Sequence, residues 1–273
     1  MKIKAYAKIN LRLKVLGITE NAYHELQMIN CKVNLYDTII LKKIKQEVIK
    51  VDMPYVKQED NLVYKIVNKM FEKYQLPKGL SVKITKKIPI GAGLAGGSTD
   101  AAAVINAIDK MYKLNLSMEE KRNLALEFGT DIVYCLENKL YLVEGIGDKV
   151  YPLSRQLKSS ILIINPNFSV LTKDIFKEYD EKCGFSPRIN IDKLEKMSLL
   201  EMLENDLEKV VFEKYKEIKN LKTSLQEKGY KYISMSGSGA TIFVLGSKKN
   251  LKDLYKDLKK EYEDYKIYLT KII

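Results

Sequence analysis

Apolar and polar residues alternate strictly at the start of the chain. Ile3, Ala5, Ala7, Ile9, Leu11, Leu13 and Val15 are separated by Lys4, Tyr6, Lys8, Asn10, Arg12 and Lys14. A period of two predicts a strand with one buried face. Lys8 and Asn10 share its polar side, about 7 Å apart at ~3.4 Å per residue. An ordinary solvent-facing strand surface would read the same way. Residues 17–22 then read as a turn into Tyr23-His24-Glu25-Leu26, and 33–44 and 47–51 as further strands. Residues 61–74 predict a helix with Leu62, Ile66, Val67, Met70 and Phe71 on one face. Residues 80–88 read as a strand that runs into a glycine-rich loop. Behind the loop Ala101, Val104, Ile105, Ile108, Met111 and Tyr112 recur at helical spacing, with Ser98, Thr99 and Asp100 as N-cap residues.

Ser117-Met118-Glu119-Glu120 is a capping box that opens a helix stopped by Gly129. Thr130-Asp131-Ile132-Val133 follows at once, and Asp131 reads equally as a cap of the next helical turn or as a site residue. Being past a helix end, it gains nothing from that helix's dipole. Strands over 140–144 and 149–153 precede a boundary at 154–158, dividing the chain into domains 1–155 and 156–273. In the second part a strand at 161–164, helices at 172–178 and 192–203, and one long helix over 206–228 lead to strands at 232–235 and 241–244. These two are joined through Ser236-Gly237-Ser238-Gly239-Ala240. A helix over 250–262 and a last strand over 266–272 complete an α+β half.

The 273 residues are 46% hydrophobic and 30% charged, the composition of a soluble globular chain with ample core. No apolar run follows Met1-Lys2-Ile3-Lys4 and none approaches 18 residues, so neither a signal peptide nor a membrane span is expected. Cys31, Cys135 and Cys183 show no CxxC spacing and point to reduced thiols in a cytoplasm. The net charge of +12 suggests nucleic acid. Arginine, however, stands only at positions 12, 122, 155 and 188, and the lysines are scattered along helices. A solvated lysine surface explains the charge better, with a bias toward anionic substrates. His24 is the one histidine, which excludes histidine-rich metal sites and a second histidine acting as base.

The chemistry concentrates in Pro89-Ile90-Gly91-Ala92-Gly93-Leu94-Ala95-Gly96-Gly97-Ser98-Thr99-Asp100. Gly91, Gly93, Gly96 and Gly97 leave a backbone that can turn its N–H groups around an anion, and the helix N-terminus behind them favours a phosphate. A glycine-rich turn into a buried helix is the plainer alternative. Gly91 to Gly96 also spell the dinucleotide-binding pattern, which requires a second strand bearing an acid about 20 residues on. Here Ser117 opens another helix instead. A P-loop would need Gly-Lys-Ser/Thr, and Gly97 stands before Ser98, so a phosphate-binding lysine has to come from elsewhere.

Taken together, Pro89 to Ala103 and Ser234-Met235-Ser236-Gly237-Ser238-Gly239-Ala240 resemble the two glycine motifs of the GHMP kinase superfamily. Ala5-Tyr6-Ala7-Lys8-Ile9-Asn10-Leu11, Tyr23-His24-Glu25-Leu26, Gly129-Thr130-Asp131-Ile132 and Asn205-Asp206-Leu207-Glu208 resemble the branch acting on a cytidine diphosphate sugar alcohol. These matches run in order from residue 5 to about 241. The resemblance implies a two-domain fold of α+β type: an N-terminal ribosomal-protein-like βαβ domain with a left-handed crossover, and a ferredoxin-like C-terminal domain. It implies ATP-dependent phosphorylation of the 2-hydroxyl, with Lys8 and Asp131 as the catalytic pair. Asp131 would take or orient the hydroxyl proton, and Lys8 would counter charge at transfer. Residues 89–99 would hold the ATP phosphates, with Mg²⁺ bridging them and Ser98 as its candidate ligand. Asn10, Tyr23, His24, Thr172 and Phe176 would hold the diphosphocytidyl group, by stacking and by edge contacts.

The chain departs from that pattern at Ala95, Thr99 and Val133, where glycine, serine and proline are usual. None removes a chemical group, but a Cβ at position 95 would crowd a backbone that needs positive φ. Two alternatives stay in view. A homoserine or mevalonate kinase of the same superfamily would have no use for aromatics that stack a base. An RNA-binding protein of related fold would call for arginine and clustered basic residues. The reading therefore expects a small-molecule substrate, no nucleic acid and no membrane, as a monomer or a weak dimer.

Overall fold

The computed structural model describes every residue except Tyr55, Asn138 and Lys139. The chain forms two compact units. One comprises Met1–Ala7, Leu35–Ile88 and Ala95–Glu137; the other comprises Lys8–Asn34, Pro89–Leu94 and Asn138–Ile273. The first two strands, β1 (Lys2–Ile18) and β2 (His24–Lys43), contribute residues to both. Among the described residues no helix is long and apolar enough to cross a membrane.

In the first unit β3 (Ile49–Asp52) and β4 (Leu80–Thr85) run parallel, Val51 beside Val82, and α1 (Leu62–Lys73) lies between them in sequence as a βαβ unit. The C-terminal part of β2 pairs antiparallel with β4, Ile39 facing Ile84. Asn61 caps α1 by accepting the Val63 N–H at 2.8 Å. The helix buries Val63, Ile66, Val67, Met70 and Phe71, so Val63 takes the place expected for Leu62. Next come α2 (Gly96–Tyr112), α3 (Met118–Leu126) and α4 (Thr130–Cys135), and α2 packs between α1 and α4. Its inward face carries Ala101, Ala102 and Ala107 among Val104, Ile105 and Ile108, small enough for close helix approach. The capping box at Ser117 and Glu120 forms as expected.

Two local expectations change. The N-cap of α2 is Ala95, and Ser98, Thr99 and Asp100 lie inside the helix. The reason is geometric: Gly96 and Gly97 are already helical, and the chain reverses at Ala95, whose φ is +53°. Thr99 and Asp100 are turned into the protein and cannot serve as caps. Asp131 falls in the first turn of α4, so it stands at the positive end of a new helix as well as past the end of α3. An alanine in the left-handed region costs roughly 1 kcal/mol. Ala95→Gly is therefore expected to raise stability by about 0.5–1 kcal/mol despite glycine's greater unfolded freedom. A thermal melt showing no gain would contradict this.

In the second unit β5 (Tyr141–Gly145) pairs with Leu26–Asn30 of β2 on one side and with β6 (Lys149–Pro152) on the other. Strands β7 (Ser160–Asn165), β8 (Ile233–Met235), β9 (Ile242–Gly246) and β10 (Lys266–Lys271) form an antiparallel sheet in the order β10-β7-β9-β8. This is the ferredoxin-like order. Ile161, Leu162, Ile163 and Ile164 are all fully buried because β7 is central and covered on both faces. Between β7 and β8 run α5 (Thr172–Lys182), α6 (Ile191–Lys196), α7 (Leu199–Met202), α8 (Glu208–Lys214) and α9 (Lys216–Glu227); α10 (Lys248–Glu261) lies between β9 and β10. The single helix expected over 192–203 is two, because Ser198 and Glu201 make a capping box that restarts the chain. The long helix over 206–228 likewise breaks at Tyr215, whose backbone leaves the helical region. Cys31, Cys135 and Cys183 are thiols rather than disulfides.

Candidate functional site

Lys8 and Asn10 do share one side of β1, as the alternation requires, but that side is not solvent-facing. Lys8 is 4% exposed and Asn10 1%. The Lys8 ammonium donates to Asn10 Oδ1 at 2.9 Å. An ammonium can only donate, so the Asn10 carbonyl has to face it and the Asn10 amide must find acceptors elsewhere. It donates to Asn30 Oδ1 at 2.7 Å and to Met28 Sδ at 3.3 Å, both on β2. Asn10 is thus committed to orienting Lys8. Asn30 was not visible as a partner in the sequence, since strand register is needed to find it.

The first half of the glycine loop, Pro89–Leu94, lies in the same unit. The Lys8 N–H donates to Leu94 O at 3.2 Å. Ser236 accepts the Asn10 N–H at 3.2 Å and donates to Gly93 O at 2.9 Å, joining β1, the loop and the second glycine motif. Gly93 has φ +71°, and a Cβ there would lie 2.1 Å from Ser236 O. Gly91 (φ +63°) is pressed against the Ser169 side chain, whose Oγ would lie 2.6 Å from a Cβ there. Asn205 closes the second motif from behind by donating to Met235 O and Gly237 O, each at 2.8 Å. The glycines of positions 91 and 93 therefore serve close packing of loops. Ser236 belongs to a motif legible in the sequence, though its bond to Gly93 was not.

Further along the same unit, the His24 and Phe176 rings stack at 4.2 Å with 27° between planes. His24 Nε2 lies 2.8 Å from Asp180 Oδ1. Phe176 and Asp180 are one helical turn apart on α5, so one holds the imidazole's face and the other its edge. That i, i+4 spacing was the available sequence signal for Asp180. Thr172, first residue of α5, is 2.8 Å from Ser238 of the second glycine motif through its hydroxyl. Tyr23 stands out from its turn, 60% exposed.

The rest of the loop and Asp131 belong to the first unit. The first helical bond of α2 runs from Thr99 N to Ala95 O. The N–H groups of Gly96, Gly97 and Ser98 precede it and have no acceptor within the helix. Among the described residues nothing lies within 4 Å of where a Gly97 Cβ would be, so this end of α2 is open. That arrangement fits a phosphate. Thr99 is turned away from it, donating through Oγ1 to Tyr6 O at 2.6 Å. Asp131 is half-buried in the first turn of α4. Among the described residues no group of three or more His, Cys, Asp or Glu could hold a metal ion.

Residues 61–138 match the GHMP kinases N terminal domain and residues 189–264 the GHMP kinases C terminal domain. A 4-diphosphocytidyl-2-C-methyl-D-erythritol kinase of Thermoanaerobacter pseudethanolicus is 39% identical over 96% of this chain and 93% of its own. One from Clostridium beijerinckii is 38% identical over the whole of both chains. Among solved structures, that of a 4-(cytidine 5'-diphospho)-2C-methyl-D-erythritol kinase superposes with a TM-score of 0.84 at 25% identity, covering 100% of this chain and 99% of the other. A homoserine kinase from Cytophaga hutchinsonii superposes at 0.74 with 18% identity over 100% and 94%, a likeness of fold alone.

Proposed function

Because the chain belongs to the GHMP kinases, and within them to the 4-diphosphocytidyl-2-C-methyl-D-erythritol kinases, we infer that it uses ATP to phosphorylate the 2-hydroxyl of 4-diphosphocytidyl-2-C-methyl-D-erythritol, releasing ADP. The step belongs to isoprenoid precursor synthesis by the non-mevalonate route. Among the geometric observations, the stacked His24–Phe176 pair carries this reading. A homoserine or mevalonate kinase has no base to place against such a pair. An RNA-binding role would leave the buried Lys8–Asn10 pair and the open end of α2 without a purpose.

In this reading Asp131 takes or orients the proton of the attacking hydroxyl, and Lys8 offsets negative charge as the phosphoryl group moves. Transfer of this kind is mostly positioning and electrostatics, so Lys8 carries at least as much of the rate as the base. The backbone of Pro89 to Thr99 receives the ATP phosphates, above all at the N–H groups of Gly96, Gly97 and Ser98. Mg²⁺ bound with the nucleotide would neutralise phosphate charge. The Ser98 hydroxyl is the candidate protein ligand that would help hold it. Tyr23, His24 and Phe176 receive the cytosine, Thr172 contacts the substrate from the start of α5, and Asn10 lies under the diphosphocytidyl group while it holds Lys8. Along the sequence we assign 1–155 as the ATP-binding domain and 156–273 as the C-terminal domain of a cytoplasmic monomer or weak dimer; the compact units cut across this line, since 8–34, 89–94 and 138–155 belong to the second.

The direct test is ADP release by purified protein with ATP and Mg²⁺. Release is expected with the cytidylyl substrate and not with methylerythritol phosphate, mevalonate or homoserine. Equal turnover without the cytidylyl group would refute the substrate assignment. His24 offers an independent reading, because a single histidine gives an unambiguous imidazole signal. The cytidylyl substrate is expected to shift that signal far more than ATP alone, and His24→Ala to raise KM more than it lowers kcat. An imidazole indifferent to saturating substrate, with unchanged KM in the alanine variant, would remove His24 from the base site.

A further inference from the structure

Asp37, Lys86 and Asp100 form a buried charged cluster in the first unit, outside the groups assigned above. Asp37 comes from β2, Lys86 from the residue after β4, and Asp100 from the second turn of α2. The Lys86 ammonium donates to Asp37 Oδ2 at 2.5 Å and to Asp100 Oδ2 at 2.8 Å. The other Asp37 oxygen accepts the backbone N–H groups of Lys87 at 2.5 Å and Ile88 at 2.9 Å. Asp37 therefore holds the two residues that lead into the glycine loop, Asp100 belongs to the helix that leaves it, and one ammonium joins the two. Gly96 sits directly against this joint: a Cβ there would lie 3.0 Å from Ile88 Cγ2 and 3.3 Å from Lys86 Nζ.

We propose that Lys86 is a positioning residue for the phosphoryl donor, tying the entry of loop 89–95 to its exit so that the first-turn N–H groups of α2 keep the spacing a triphosphate needs. The proposal rests on the reading of that loop as the ATP site. Five residues separate Pro89 from Ala95, and four of the loop and helix residues from 91 to 97 are glycines with wide backbone freedom. A loop so composed holds no anion-binding geometry unless its ends are fixed. Two carboxylates around one ammonium fix them directionally, which apolar packing would not.

Among the described residues Asp100 Oδ1 has no hydrogen-bond partner, so Lys86 holds this carboxylate through Oδ2.

The test measures KM for ATP, KM for the alcohol substrate and kcat in wild type, Lys86→Arg and Lys86→Met. KM for the alcohol should stay level. Lys86→Met, or Lys86→Arg if the methionine variant does not fold, should raise KM for ATP at least fivefold with kcat within a few-fold. Folded Lys86 variants with unaltered KM for ATP would overturn the proposal. Calorimetric titration of wild type with ATP separates the two readings: absence of binding would overturn the assignment of the loop itself, and the proposal with it.

Discussion

Lys8→Met is expected to lower kcat by at least ~10²–10³-fold, the range seen when a preorganised charge-stabilising donor is removed. Methionine keeps the length and apolar stem of the side chain and deletes its charge. Binding of the cytidylyl substrate should stay within a few-fold, because the proposed cytosine contacts are Tyr23, His24 and Phe176. Asp131→Asn, which keeps size and removes the base, should cost about 10²–10⁴-fold. Lys8→Met is expected to be at least as damaging, since charge stabilisation outweighs proton removal in phosphoryl transfer. Steady-state kcat by ADP release, with substrate Kd by calorimetry, distinguishes lost chemistry from lost binding. Deleting the ammonium also leaves Asn10 Oδ1 without this donor in a buried site, a stability cost of about 1–3 kcal/mol that a melt will read separately. A variant with near wild-type kcat would withdraw its residue from the catalytic pair.

Gly93→Ala should be the most disruptive single methyl in the second unit. The new Cβ would lie 2.1 Å from Ser236 O and 3.0 Å from Gly239 O, backbone atoms that cannot swing aside. The φ of +71° adds strain of its own. Relief requires the loop and the second glycine motif to part, which breaks the Ser236–Gly93 hydrogen bond and exposes Asn10's amide. The combined loss is expected to exceed ~3 kcal/mol, the scale of severe overpacking, and to lower Tm by about 10 °C or abolish soluble expression. Gly97→Ala is the control. It meets open space inside a helix, so its stability should stay level or rise by up to ~1 kcal/mol. Equal melting of the two variants would show that the loops do not pack as described.

The two outcomes draw on features that were unequally legible. The alternation at residues 2–15 suffices to place Lys8 and Asn10 together, and the two glycine motifs announce themselves by composition. Burial of the polar side of β1 is not readable there, because it depends on partners such as Asn30 and Ser236 that lie 20 and 226 positions away. The N-cap was misplaced for a local reason: Ser98, Thr99 and Asp100 have capping chemistry, but an alanine can take the reversal when two glycines follow it. The break at Ser198 was legible as a capping box and outweighed by helical periodicity on both sides. Asp100 read as an N-cap residue, and its partners Lys86 and Asp37 are brought together only by the register of β2 against β4.

The placement of β1 also sets the order in which the chain can finish. Leu13 exchanges backbone hydrogen bonds with Glu204 and Asp206, Lys14 reaches Asp206 across 192 positions, and Asn10 waits for Ser236 across 226. During synthesis at about 5–20 residues per second, the first strand emerges tens of seconds before those partners exist. Its buried polar residues spend that time in water, where lysine and asparagine are at ease and a wholly apolar strand would seek other company. The buried polar stripe of Lys8 and Asn10 thus also keeps the earliest strand soluble while it waits for the last third of its own chain.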